Sequence, residues 1–298
     1  MRRRVRSMAM TTRAAASTAE LRKHAGLDIL AWPGFGAYPV EVIVTTRHGG
    51  VSTGGLGDFA TLNLSFAVGD DPASVLANRR RVAQACQADL SDFVFARQVH
   101  GRDAAIVSRA DRGRGAEHPH DAIADADALV TRDPGTVLAI LVADCVPIVL
   151  YDPAAQVLAC VHAGWRGTVA RVTQAALAAM TTLGSNPADV IAGIGPAIAP
   201  DAYRVGEEVA SAAKQAFGSD TPSVLRDDGR EGWLFDLWEA NRLTLAQAGV
   251  APERIHLAGV PTGPGPGLFF SHRARQPCGR FALLARLHAP DGEYGGGT

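Results

Sequence analysis

Between Leu141 and Thr168 the chain reads LVADCVPIVLYDPAAQVLACVHAGWRGT. Asp144, Cys145, His162 and Arg166 interrupt a stretch otherwise composed for buried strand. Cys145 follows an apolar run and precedes Pro147, which marks a strand end, and His162 lies seventeen residues on at the end of a second apolar run. An antiparallel hairpin turning at DPAAQ returns both side chains to one edge. A thiol beside an imidazole permits two chemistries. The imidazole can take the thiol proton and leave a thiolate nucleophile. Alternatively both residues ligate a metal, and a catalytic zinc takes three protein ligands with one position open. His100, in RQVHG, is the best third ligand, being polar and strand-terminal. Without a CxxC pair or an HExxH run, spacing leaves both readings open beside a third, in which Cys145 is core filler.

The arginines suggest an anion. HAGWRGT puts Arg166 in a glycine-flanked turn before a helix, where backbone N–H groups and a guanidinium favour negative charge. Arg47 in TTRHGG and Arg273 in FFSHRA also sit beside small residues at strand exits. These three are the candidate phosphate-binding residues. Asp144 is placed to orient a histidine or meet a substrate hydroxyl, and Asp127 in ADADALVT stands similarly before a strand. Cys160 reads as core, Cys86 as the inward face of a helix, and Cys278 as either core or surface.

The elements that must position these residues alternate between strand and helix. Val40 to Thr46 reads as a strand, and a glycine-rich loop follows that lacks the GK[ST] ending of a phosphate loop. The next helix starts with Asp71 as cap and Pro72 at the first helical position. FVFARQVHG reads as a strand running to His100. LVT, VLAILVA, IVLY and VLACVHA are strands broken by Asp-Pro turns, and their unbroken apolar character predicts a sheet covered on both faces. TVARVTQAALAAMTTLG has helical periodicity stopped by Gly184. Further on come strand VIAGIG, helix YRVGEEVASAAKQAF, a helix capped by Asp236 and Glu239, strand IHLAGV and a last helix RFALLARLHA. No GxGxxG fingerprint is present, which argues against a Rossmann cofactor.

The chain has 298 residues, 47% of them apolar, with a formal net charge of -1 and four cysteines. That composition supports a substantial core and excludes the basic profile of a nucleic-acid binder. No stretch has the apolar length of a membrane span, and the cysteine spacing resembles no disulfide framework. The expectation is one catalytic domain over residues 31–289, with flexible tails at 1–30 and 290–298, in the cytoplasm. The basic first tail lacks the apolar region of a secretory signal. No oligomer is predicted.

TTRHGGVS, LNLSFAVGDDP, NRR, RQVHG, ADALVT, ADCVPIVLYD, VHAGWRGT, GPAI, YRVGEEV and FFSHR…GR together resemble the multicopper polyphenol oxidoreductase (laccase-domain) family. The resemblance runs from about Val40 to Leu287, and ADC.P with HAGWRG is its most specific part. It implies a single layered α/β domain with mixed β-sheets and a cysteine-hydrolase-like fold. It implies purine nucleoside phosphorylase activity on adenosine, inosine and methylthioadenosine, together with adenosine deaminase activity. It implies that His100, Cys145 and His162 ligate zinc, with copper as the other metal. The chain departs from the family pattern at Pro261-Thr262, where a CT pair is usual, and at His272 and Ala274 within the SYRR motif.

Phosphorolysis requires charge neutralisation of phosphate and stabilisation of the sugar and the departing purine. The expected groups are Arg47, Arg166 and Arg273 for phosphate, and Asp127 or Asp144 for ribose or base. Deamination requires a metal-activated water, with Asp144 as proton shuttle. The HxE…PCxxC deaminase signature is missing, so that reaction needs another geometry. The competing readings are a cysteine hydrolase or amidase using Cys145 and His162, a copper-dependent polyphenol oxidase, and a protein with purely structural zinc.

Overall fold

The structure, a computed structural model, describes residues 18–230, 232–263 and 267–289. Two six-stranded sheets form its centre. The first runs, edge to edge, β1 (Glu20–His24), β2 (Leu27–Ala31), β3 (Val40–Thr45), β17 (Phe281–Leu287), β7 (Val137–Val142) and β4 (Phe93–Phe95). The second runs β15 (Ile255–Leu257), β10 (Ile191–Ile194), β8 (Val146–Asp152), β9 (Val157–Ala163), β6 (Ala128–Thr131) and β5 (Ala104–Ile106). Both are mixed: β4–β7, β10–β15 and β5–β6 are parallel pairs among antiparallel ones. Two small ribbons complete the β structure. They are β11 (Ala197–Ile198) with β16 (Pro261–Thr262), and β12 (Arg204–Val205), β14 (Trp233–Phe235) and β13 (Leu225–Asp227).

The two sheets pack face to face. Leu138, Ile140, Val142, Phe281 and Leu283 of the first meet Leu129, Val149, Tyr151, Leu158 and Cys160 of the second. The outer face of the first sheet, including Ile43, Ala139 and Leu284, packs on α1 (Pro72–Ala85) through Val82 and Ala83. The outer face of the second, including Ile148, Ala159 and Val161, packs on α3 (Val172–Thr182), α4 (Glu207–Phe217) and α6 (Leu237–Gln247). The result is four layers, helix–sheet–sheet–helix, so both sheets are covered on both faces as the unbroken apolar strands require. Each buried Leu, Ile or Val contributes about 1.5–3 kcal/mol.

Several expectations are met. The Asp71 carboxylate accepts from the N–H groups of Ala73 and Ser74 at the start of α1, and Asp236 accepts from the Glu239 N–H at the start of α6. The DPAAQ hairpin is present, with Pro147 opposite His162. Others are corrected. RFALLARLHA is the central strand β17, not a helix. Its Ala, Leu and Arg favour helix, but pairing with β3 and β7 on either side decides the outcome. FVFARQVHG is strand only to Phe95. The helix read from TVARVTQ is two pieces, α2 (Trp165–Val169) and α3, separated by Arg171 at φ +66°. Within the expected first tail, residues 20–30 hold β1 and all of β2 but Ala31, and these strands pair into the first sheet. The remainder of that tail through residue 17, and the tail at 290–298, lie outside the described residues.

Candidate active site

The site forms where the chain passes from one sheet to the other. Residues 143–145 link β7 of the first sheet to β8 of the second, and residues 96–103 link β4 of the first to β5 of the second. Each crossing contains a left-handed residue, Asp144 at φ +77° and His100 at φ +59°. Such a backbone is unfavourable for most side chains and must be held by its surroundings. Asp144 is held through both carboxylate oxygens. Oδ1 accepts from the Thr262 hydroxyl at 2.5 Å, and Oδ2 from the Arg273 N–H at 2.6 Å.

The strand period of two then aims the chemistry. Along β9, Leu158, Cys160 and His162 point to the inter-sheet side, and Cys145 joins the same face ahead of β8. His162 is buried, Cys145 half-buried and His100 exposed. Their ligand atoms all lie within 4.8 Å of one another, and the two imidazole rings meet edge to face at 4.7 Å between centroids. Gly164 makes this approach possible, because a Cβ there would stand 3.0 Å from both Cys145 Sγ and His100 Cδ2. Two imidazoles and a thiolate are a donor set that suits a four-coordinate ion.

Asp127 organises the cluster from beneath. It is fully buried. Its Oδ1 accepts from His162 Nδ1 at 2.7 Å and from the His100 N–H at 3.0 Å. Its Oδ2 accepts from the N–H groups of Val99 at 3.2 Å and Gly101 at 2.6 Å. One carboxylate thus fixes the ring of one histidine and the backbone of the other, leaving His162 Nε2 turned to the cluster. Burial alone would raise the Asp127 carboxyl. The His162 hydrogen bond and charge, with the Gly101 and Val99 amides, outweigh it and hold the group below its ordinary value. Burial would likewise raise the Cys145 thiol, but the charge of His162 and hydrogen bonds from both histidines bring it down to about 6. Burial opposes a charged His162, whereas Cys145 and Asp127 raise it to about 9. Without a metal, both shifts favour the thiolate–imidazolium form of the pair over the neutral one.

The cluster borders a cavity of about 510 Å³, a size that takes a small organic molecule. Its walls include Phe66, Phe95, Leu141 and Val142, with Gln98, His272, Arg79 and Arg280 among the polar groups. None of the three arginines expected at phosphate is among its lining residues. Arg47 is buried and committed elsewhere: it grips Asp58 with both terminal nitrogens, donates to the Ala60 carbonyl and lies over the Phe270 ring. Arg166 is exposed, stacks over Trp165 and reaches Glu208. Arg273 stacks over Tyr203 and donates to the Arg204 carbonyl. Of the two aspartates, Asp127 accepts four hydrogen bonds that orient the cluster, and Asp144 accepts two, one on each oxygen, that fix its crossing. The sequence marks Arg79 by its place in the helical repeat. With Asn78 it falls between Val75 and Val82 on the inward face of α1, where a charged residue needs a reason. Arg280 and His272 lie in the FFSHR…GR motif, but spacing gave no sign that they meet the cluster across a cavity.

The sequence profile of the family described as multi-copper polyphenol oxidoreductase laccase matches residues 41–288. The chain belongs to that family. It is 38% identical over 246 residues to purine nucleoside phosphorylase YlmD of Geobacillus stearothermophilus, covering 81% of this chain and 89% of that protein. It is 38% identical over 216 residues to adenosine deaminase RL5 from an unknown prokaryotic organism, covering 72% of this chain and 81% of that one. The crystal structure of Geobacillus YlmD superposes with a TM-score of 0.84 at 35% identity, covering 90% of this chain and 99% of that one. That of Bacillus licheniformis YfiH gives 0.83 at 32% identity, covering 90% and 98%. With enzymes of this similarity along most of its length, the family member described here is an enzyme.

Proposed function

We propose that this enzyme is a purine nucleoside phosphorylase acting on adenosine, inosine and methylthioadenosine, with zinc held by His100, Cys145 and His162 and adenosine deaminase activity at the same site. The observation that carries the reading is the convergence of the Asp127-braced cluster on a cavity large enough for a nucleoside. The names of the relatives supply the substrate class. In phosphorolysis a phosphate oxygen bonds to C1′ of the ribose as the bond from C1′ to purine N9 breaks. The bond pair leaves with the purine, which takes up a proton, and the products are free base and ribose 1-phosphate. The cavity supplies apolar walls for the base through Phe66, Phe95, Leu141 and Val142. When bound, zinc would supply a Lewis acid beside the substrate. His100, Cys145 and His162 would hold it, and Asp127 keeps His162 in the tautomer that presents Nε2. Zinc is preferred to copper because a His₂Cys set with an open position suits it. Among the described residues only this one cluster of ligands is found, whereas oxidation by several coppers needs several. Four free cysteines fit a reducing compartment such as the cytoplasm.

The test incubates metallated enzyme with adenosine or inosine, with and without phosphate, and separates products by chromatography. Phosphate-dependent release of free base with ribose 1-phosphate is expected. Inosine formed from adenosine without phosphate would report deamination. Free base released equally fast without phosphate would refute phosphorolysis. A second reading is favoured by one observation: thiol, imidazole and carboxylate stand in the order nucleophile, base and orienter. It makes Cys145 the nucleophile of a hydrolase or amidase. A covalent substrate adduct on Cys145, found by mass spectrometry, would establish that reading and displace the first.

A further inference from the structure

The cavity beside the cluster has an unbalanced charge. Arg79, Arg97 and Arg280 line it, and among the described residues no aspartate or glutamate does. Arg97 is neutralised by Asp125 at 2.9 Å, with both side chains exposed. Arg79 is different. It is 4% exposed and meets no carboxylate among the described residues. Its Nε donates to the Leu64 carbonyl at 2.8 Å, and Nη1 to the carbonyls of Gly115 at 2.6 Å and Ala116 at 2.8 Å. The guanidinium lies between the Phe66 ring at 4.4 Å and the Phe95 ring at 3.9 Å. Its Nη2 donates to no group among the described residues. Arg280 uses Nη1 on Cys278 and Gly279, leaving Nε and Nη2 without an acceptor among the described residues.

Three carbonyls and two rings position the Arg79 cation without cancelling its charge. Burying an unpaired cation is unfavourable, and burial pushes this guanidinium down to about 9, still charged at neutral pH. An anion entering the cavity removes the penalty and meets donors already fixed in place. Guanidinium groups match tetrahedral oxyanions in shape and charge. We propose that Arg79 and Arg280 form the subsite that binds inorganic phosphate beside the His100, Cys145 and His162 cluster. This rests on the phosphorylase reading above for the identity of the anion. It replaces Arg47, Arg166 and Arg273, whose guanidinium groups are engaged away from the cavity.

The test is calorimetric titration of the metallated enzyme with inorganic phosphate alone, joined to steady-state kinetics. Arg280→Gln is the principal variant, because Arg280 is half-buried and its loss spares the core. Arg79→Lys, which keeps the charge but not the fork, is the second. Each is expected to weaken phosphate binding about tenfold or more, the loss typical of a charge-assisted bond. KM for phosphate should rise in step, while KM for the nucleoside moves less than about twofold. Unchanged phosphate affinity in Arg280→Gln, or no phosphate binding by the parent enzyme, would overturn the proposal. A nucleoside 5′-monophosphate serves as a second probe. Arg280-dependent binding of that ester with no binding of inorganic phosphate would also overturn the assignment. Arg280-dependent phosphate binding without ribose 1-phosphate formation would uphold the subsite and refute the phosphorylase reading instead.

Discussion

Asp127→Asn is the substitution that best separates the brace from the cluster it holds. The side chain keeps its shape but exchanges one acceptor oxygen for an NH₂ donor. The carboxylate accepts four N–H groups, two on each oxygen. Whichever way the amide turns, two buried donors face another donor. One rotamer deprives His162 Nδ1 and the His100 amide, and the other deprives the amides of Val99 and Gly101. Each lost charge-assisted bond is worth about 1.5–3 kcal/mol, so the variant should lose about 3–6 kcal/mol of stability. Both rotamers also disturb a ligand, the first by freeing the His162 ring and the second by loosening the segment that carries His100. Metal affinity should fall about 10–100-fold, as for other partners that orient a ligating histidine. Urea denaturation of chelated protein measures the first quantity, and competition with a chromophoric chelator the second. Stability within about 1 kcal/mol of the parent, with unaltered metal affinity, would refute the view that one carboxylate organises the site.

Elemental analysis of protein purified without added metal should find about one zinc per chain, and little in a His100→Ala, Cys145→Ala, His162→Ala triple variant. Full occupancy there would exclude these ligands. Cys145→Ala should abolish metal binding, whereas Cys160→Ala, in the inter-sheet core, should cost roughly 1 kcal/mol with metal retained; thermal melts with metal analysis distinguish them. In metal-free protein, Cys145 should alkylate with a midpoint near its lowered value of about 6, while Cys86, raised by burial to about 12, stays inert at neutral pH. A labelling midpoint near 9 for Cys145 would contradict the ion pair. The two shifts nearly cancel in metal-free stability, because between about 6.5 and about 9 the folded pair holds one proton on His162 and the unfolded pair holds one on Cys145; the pair should therefore add no maximum to melting temperature against pH, and a maximum in that window lost in Cys145→Ala would contradict the ion pair. Arg47→Ala should destabilise by about 3–5 kcal/mol by stranding Asp58, and a change confined to KM for phosphate would restore the anion role.

The clustering of Cys145 with His162 was legible because local patterns converge on it. The DPAAQ turn and strand alternation bring Cys145 and His162 together, and the HAGWRG and ADC.P motifs point to the same residues. The covered sheets were legible for the same reason, since strands without polar alternation need partners on both faces. Distant partnerships were not. Arg47 looks exposed beside glycines, but Asp58, eleven residues on, folds back to pair with it. β17 has the composition of a helix, and only its place between β3 and β7 makes it a strand. Asp127 is recognisable as a polar residue before a strand. That it braces His100 as well as His162 depends on two loops meeting, which no local pattern encodes.

The crossings at residues 96–103 and 143–145 make the site a clasp between layers. His100 departs from the first sheet, while His162 belongs to the second and Cys145 stands at its threshold. An ion gripping all three would resist sliding of one sheet across the other. Linkage is reciprocal, so anything that shifts the layers out of registration weakens the grip by the same free energy. A truncation such as Leu158→Ala, made deep between the sheets, would then be read out at the rim as altered affinity. Hydrogen exchange along β7 and β9 should slow when the clasp is closed. In this architecture, the packing of the interior and the occupancy of the site are one equilibrium observed from two ends.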